Sequence, residues 1–124
     1  MTVTADLAMV NLDSPDPTAH AAFYHRVLGW EITHAEPGYA MITAPTGVSV
    51  GFGAVEAYAP PRWPDTDSGK RYHLDLYVDD LDVAEQEFLA AGATKPQFQP
   101  GDGRWVVLLD PAGQPFCICP RPRG

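Results

Sequence analysis

The side chains best suited to chemistry in this chain are His73 and Asp75, two residues apart in "RYHLDLYVDD", and Cys117 and Cys119, with the same spacing in "PFCICP". Residues two apart on an extended strand project to the same face, so each pair would share one. A histidine oriented by a neighbouring carboxylate is what general acid–base catalysis uses. The blander alternative is a pair of polar groups lining a face, hydrogen-bonded to each other or to backbone. A cysteine away from positive charge behaves as a small hydrophobe, and His73 is the candidate source of such charge. Thiols two apart on one strand have the wrong backbone direction for a mutual disulfide, and the chain holds no third cysteine. That usage predicts a reducing, cytoplasmic setting.

The elements that must position these groups come as two copies of one unit. A shift that carries Met9 onto His73 also carries Val10 onto Leu74, Asn11 onto Asp75, Leu12 onto Leu76 and Asp16 onto Asp80. Each of these strand patterns runs into a helix pattern bearing an aromatic, Phe23 or Phe88, and each helix stops at a glycine, Gly29 or Gly92. Asp16 with Pro17 makes an N-cap and first helical residue, and Asp80 or Asp82 serves the second helix. Strand candidates follow: "WEITHA", "YAMITA" and "GVSVGFG" in the first half, "TKPQFQ", "RWVVLLD" and "PFCIC" in the second. Pro96 makes "TKPQFQ" an edge strand. "PTGVSVGF" and "PAGQPFCI" repeat a Pro-x-Gly turn before the last strand of each half.

The prediction is an α+β fold of two tandem β-α-β-β-β modules forming a curved, half-closed, eight-stranded cup with the helices outside. Module one spans about 5–55, a proline-rich linker 56–70, and module two about 71–120. Alternation assigns the faces. Val10, Leu12, Val50, Phe52, Leu74, Leu76, Phe116 and Ile118 share the parity expected under the helices. Met9, Asn11, Ser49, Gly51, His73, Asp75, Cys117 and Cys119 share the opposite, more polar parity, which should line the cup. His20 and His25, five apart and off the same-face spacing, read as surface residues.

Composition narrows the partners. The 124 residues carry 16 acidic and 8 Lys or Arg side chains, a net charge of −8, and such a field repels nucleic acid. At 45% hydrophobic the chain buries a real core, yet no apolar run approaches the roughly 20 residues that span a bilayer. The N-terminus lacks the basic-then-apolar pattern of a signal peptide.

With its duplicated units, "FYHRVLGW" closing the first helix, "HLDLYVDDLDVA" opening the second half and "DPAGQPFC" near the end, the sequence resembles the vicinal oxygen chelate superfamily. That group includes glyoxalase I, bleomycin and fosfomycin resistance proteins and extradiol dioxygenases. The resemblance is nearest to the small glyoxalase-like branch common in actinobacteria. In metal-using members each module lends one ligand from its first strand and one from its last, typically His or Gln, Glu, His and Glu. The resemblance puts these positions at Met9, Gly51, His73 and Cys117, of which only His73 is the expected type. It therefore implies no cofactor, and no metal of the family kind; any metal would be an atypical one at His73 and Cys117.

Two readings stay open, beside a third in which side chains close the cup and the protein acts only through association. One is a homodimeric, metal-free protein binding a small cationic or aromatic ligand, with Asp75, Glu56 or Asp65 as anchor. Its ligand-binding residues would be Met9, Asn11, Ser49, Gly51, Trp63, His73, Asp75, Trp105 and Cys117. The other is an enzyme, a lyase or isomerase with His73 and Asp75 as catalytic acid and base, or a metalloenzyme with an atypical site. Neither implies a nucleic-acid or membrane partner.

Overall fold

The computed structural model describes residues 6–64 and 73–122. Contacts divide the chain into two compact units, Met1–Tyr58 and Ala59–Gly124.

Unit one runs β1 (Met9–Ser14), α1 (Pro17–Leu28), β2 (Glu31–Glu36), β3 (Tyr39–Thr43) and β4 (Ser49–Ala54). Its sheet has the order β1-β4-β3-β2, with β1 and β4 parallel and the other pairs antiparallel. The helix starts where its sequence says it should. The Asp16 carboxylate accepts from the Ala19 amide at 3.2 Å, and Pro17, which has no N–H to orphan, takes the first turn. It ends at Gly29, whose φ of 75° is open to glycine at little cost. Beneath the helix, Tyr24 stacks on Phe52 with ring centroids 5.7 Å apart, and Ile42, Ala40 and Val50 complete the buried face.

The helix also buries His20, which the sequence places at the surface. Its imidazole is only 2% exposed and lies 4.5 Å from the Phe52 ring. Spacing explains the correction: His20 shares a face with Phe23 and Tyr24, three and four residues on, rather than with His25. Its Nδ1 lies 2.9 Å from the Ser14 hydroxyl, so burial leaves that nitrogen hydrogen-bonded. His25 is exposed, its Nδ1 2.7 Å from the Trp30 carbonyl.

Among the described residues, unit two repeats the plan with one strand fewer: β5 (Leu74–Val78), α2 (Leu81–Ala91), β6 (Val106–Leu109) and β7 (Pro115–Pro120), in the order β5-β7-β6. Asp80, not Asp82, caps α2, accepting from the Val83 amide at 3.0 Å. Phe88 meets Phe116 at 5.7 Å between ring centroids, and Ile118 and Leu108 are fully buried.

The eighth strand expected from "TKPQFQ" is reduced to one bridge, Thr94 with Leu109. Pro96 cannot donate to a ladder, and the Gln99 side chain does the work of the missing backbone. Its Oε1 accepts from the Val107 amide at 2.9 Å while its Nε2 donates to the Val107 carbonyl at 2.8 Å. The free edge of β6 is thereby covered without a strand. The sheets are thus a four-stranded and a three-stranded one, both mixed. Among the described residues no helix is long and apolar enough to cross a membrane.

Phe116 is the centre of the second unit, at 0% exposure. Phe116→Ala should cost about 3–5 kcal/mol through lost burial and a residual cavity, read as a fall in the chemical-denaturation midpoint. A loss below about 1 kcal/mol would show that α2 does not rest on this ring.

Candidate functional site

Strand register decides which side chains meet. In unit two, β5 and β7 run parallel with Leu74 opposite Phe116 and Asp75 opposite Cys117. Phe116 points to α2, so Cys117 and Asp75 take the other face, and His73 and Tyr77 join them by alternation. His73 Nε2 lies 3.2 Å from Asp75 Oδ1, with the imidazole side chain 28% and the carboxylate side chain 62% exposed. His73, Asp75 and Cys117 each offer a ligand atom within 4.8 Å of the others. With Tyr77, Trp105 and Cys119 they wall a cavity of about 440 Å³.

Trp105 is held there by its own turn. Arg104 donates from its backbone N–H and its Nε to the Gly101 carbonyl, at 3.0 and 3.3 Å, and its guanidinium carbon lies 5.3 Å from the indole centroid. Gly101 is buried beneath, where a Cβ would overlap the Trp105 ring and carbonyl. A cation over one ring and a bare glycine under it fix the indole's position.

The two cysteines are not disulfide-bonded. Cys117 is buried, and Cys119 is partly so. Desolvation pushes the Cys119 thiol above its ordinary value, and the Asp75 carboxylate pushes it further. Cys119 therefore sits as a neutral thiol at physiological pH.

In unit one the expected residues also gather on one face. Register puts Met9 opposite Ser49 and Asn11 opposite Gly51 across the parallel β1–β4 pair, and Met41 opposite Gly51 on the other side. The space above Gly51 is taken. The Tyr39 hydroxyl lies 3.2 Å from both the Met9 sulfur and Asn11 Oδ1, and a Cβ on Gly51 would overlap that hydroxyl and Asn11 Oδ1. A chain of hydroxyls runs alongside, Thr33 to Thr43 at 2.8 Å and Thr43 to buried Ser49 at 2.9 Å.

Of the residues singled out from sequence, the structure brings His73, Asp75, Trp105 and Cys117 to one cavity, and Met9, Asn11, Ser49 and Gly51 to one face of the first sheet. Trp63 goes elsewhere: its ring faces Phe98 at 6.0 Å, away from the walls of that cavity. Glu56 is exposed in the linker, and Asp65 lies outside the described residues. Tyr77, a wall of the cavity, was not singled out from sequence, though it was legible because it shares the parity of His73 and Asp75. Tyr39 could be noted from sequence only as an aromatic near a turn; the β3–β4 register is what brings its hydroxyl over Gly51.

The donor set in unit one does not fit a family-type metal centre. Gly51 contributes no ligand, and Met9 offers a soft thioether engaged with Tyr39 in place of the imidazole or amide expected there.

A family profile described as Glyoxalase-like domain matches residues 9–119. Solved structures agree. A glyoxalase/bleomycin resistance protein/dioxygenase family enzyme from Burkholderia phytofirmans is 31% identical, with 92% of this chain and 97% of that chain aligned and a TM-score of 0.69. A glyoxalase-related enzyme from Fulvimarina pelagi is 20% identical over 98% of this chain and 94% of that one, at a TM-score of 0.66. The bleomycin-binding protein of Streptomyces verticillus, solved with copper(II)-bleomycin, is 18% identical over 98% and 100%, at 0.59. The last two share the fold alone. No functionally curated protein matches the chain.

Two outcomes test this geometry. Gly51→Ala should destabilise unit one by about 1–3 kcal/mol, as overpacking does, and should cost clearly less when Tyr39→Ala has emptied the space; equal costs in both backgrounds would show that the tyrosine is not what fills it. Alkylation of Cys119, followed by mass mapping across pH, should show a midpoint above that of the unfolded chain, moving down in Asp75→Asn as the carboxylate's share is removed. An unmoved midpoint would mean that the carboxylate is not felt there.

Proposed function

This chain belongs to the glyoxalase-like domain family of the vicinal oxygen chelate superfamily, and on that premise we propose that it binds a small, flat organic cation without the divalent metal of its metal-using relatives. The observation that carries the reading is the cavity of unit two, which sets the Asp75 carboxylate beside the rings of Tyr77 and Trp105. Its volume of about 440 Å³ lies within the usual span for small-molecule sites. An organic cation gains from the aromatic faces, about 0.5–2 kcal/mol each by cation–π attraction, and from the carboxylate. The net charge of −8 draws cations toward the protein from a distance.

His73 has a place in this reading as the group that orients Asp75. The curved cup that the repeat predicts, the homodimer and a reducing, cytoplasmic setting belong to the same proposal. The unit-one donor set supports the metal-free part of it. A second reading, a lyase or isomerase, rests on the 3.2 Å approach of His73 to Asp75, which is within reach for proton transfer through the pair.

Thermal shift with quaternary ammonium compounds, planar aromatic cations, and neutral and anionic counterparts decides between binding and its absence. A cation at a hundredfold excess over its Kd should stabilise the fold by about 2.7 kcal/mol, several degrees in Tm. Asp75→Asn and Trp105→Ala should each shrink the shift, measured against the unliganded Tm of the same variant. Stabilisation by anions as strong as that by cations, or shifts indifferent to both substitutions, would defeat the proposal.

A further inference from the structure

We propose that Asp102 and Gly103 form a self-modification site. In the folded protein the Gly103 nitrogen closes on the Asp102 side chain, the cyclic imide reopens as an isoaspartyl linkage, and the lengthened turn releases Trp105 from its seat. The site lies outside the residues assigned to cation binding, and its chemistry needs no co-reactant but water. Only one consequence, a loss of cation affinity when Trp105 leaves the cavity wall, rests on the binding reading.

Sequence, space and backbone conformation meet at this turn. Asp102–Gly103 is the one Asp-Gly step in the chain, which has no Asn-Gly. Glycine matters because it sets no Cβ beside the attacking nitrogen. Both residues are exposed, and a Cβ built on Gly103 would meet nothing within 4 Å, so the ring has room to form. Asp102 holds a φ of 51° and Gly103 one of 82°. The left-handed region is uncommon for a residue that carries a Cβ and stores strain there. An isoaspartyl linkage moves the side-chain methylene into the main chain and removes that constraint. Among the described residues no hydrogen bond engages the Gly103 amide or the Asp102 carboxylate, so neither reacting group is held back. Other aspartates are worse placed. Asp13 precedes Ser14, which is fully buried, and Asp16 and Asp110 precede prolines, which have no N–H to lose.

The chemistry balances with water alone. The electron pair of the Gly103 nitrogen forms a bond to Asp102 Cγ. The bond from Cγ to the hydroxyl of the protonated carboxyl breaks, and the hydroxyl leaves as water with the amide proton. Water then adds to one of the two imide carbonyls. Opening at Cγ restores aspartate. Opening at the main-chain carbonyl breaks the original peptide C–N bond and leaves the chain running through the side chain, with a free α-carboxylate. One water leaves, one returns, and nothing is oxidised or reduced. The structural effect falls on Trp105. The Gly101 carbonyl accepts from the Arg104 amide at 3.0 Å and from Arg104 Nε at 3.3 Å, and the Arg104 guanidinium carbon lies 5.3 Å from the indole centroid. An extra methylene between Gly101 and Arg104 breaks the spacing that both bonds need, and the indole loses the cation that holds it.

The test is incubation of the full-length protein at physiological temperature, native and in urea, followed by digestion. The isomer has the mass of its parent, so it is identified by chromatographic separation, electron-transfer fragmentation and labelling with an isoaspartyl-specific carboxyl methyltransferase. It should appear at Asp102 faster than at any other aspartate. The native rate should be no less than roughly a tenth of the rate in urea, since an exposed turn reacts without global unfolding. A reaction confined to globally unfolded molecules would be slower by a factor of about 10³ or more, so the two outcomes are well separated. Asp102→Glu, whose longer side chain closes the imide poorly, should abolish the isomer, and Asp102→Asn, which loses ammonia instead of water, should speed it. Tryptophan emission should be quenched more by acrylamide in the isomer than in Asp102→Glu incubated alongside. The thermal shift given by an organic cation should shrink in proportion to the isomer formed. Suppression by the larger factor, isomer spread evenly over other aspartates, or unchanged quenching in the isomer overturns the proposal. If no cation shifts the Tm of the fresh protein, the binding reading falls, while the isomer and quenching results still decide this one.

Discussion

The parallel pairing of the first and last strands within each half is the constraint on which the rest depends. Parallel neighbours cannot be joined by a tight hairpin; they need a crossover, and here the crossover includes the helix. Register then sorts side chains between two faces. Leu74 sits opposite Phe116, and Asp75 opposite Cys117. A slip of one residue would turn Phe116 away from α2 and press the Cys117 face against Phe88. The burial of Phe116 under the helix and the convergence of His73, Asp75 and Cys117 on the far face are therefore one fact seen from two sides. The stability of the core holds the site in register.

Much of this was legible in the sequence, and the limits have physical causes. The cap at Asp16 and the glycine stops at Gly29 and Gly92 are local, so residue type alone identified them, whereas for α2 it left Asp80 and Asp82 open and the Val83 amide decides for Asp80. The parity of β4 and β7 was legible because alternation there is strict and one face is wholly apolar. The missing eighth strand was half-legible. Pro96 marked the segment as an edge, but no pattern announces that one glutamine amide will pair with both backbone groups of Val107. His20 was misread because a polar residue on a buried helical face is betrayed only by its partners, Ser14 and Phe52, which come from other elements. The candidate site followed the same rule. His73, Asp75 and Cys117 were found through their parity on neighbouring strands. The seat of Trp105 depends on a turn with positive φ at Asp102 and Gly103, whose geometry short-range sequence does not dictate. Trp63 followed Phe98, a contact that sequence spacing does not suggest.

The two halves show how a duplicated unit diverges without losing its fold. In each sheet the helix-facing parity carries the packing, so Val50 and Phe52 in one and Phe116 and Ile118 in the other tolerate little change. The opposite parity is released from that duty. In unit one the released face has been filled. Gly51 gives up its side chain, and the Tyr39 hydroxyl settles over the strand beside Met9 and Asn11. In unit two the equivalent face keeps an imidazole, a carboxylate and two thiols beside an open cavity.

That asymmetry bears on chemistry more than the fold does. At the positions compared between the modules, unit one carries a glycine and a thioether engaged with Tyr39. Unit two assembles a nitrogen, an oxygen and a sulfur from β5 and β7, with aromatic rings from Tyr77 and Trp105 at the same cavity. Oxygen donors of the kind hard cations need are scarce there, whereas the thiol and the rings suit soft ions and flat organic cations. The two halves therefore offer different chemistry, a face filled by Tyr39 in one and a cavity with soft and aromatic groups in the other, on the same parallel pairing of first and last strands.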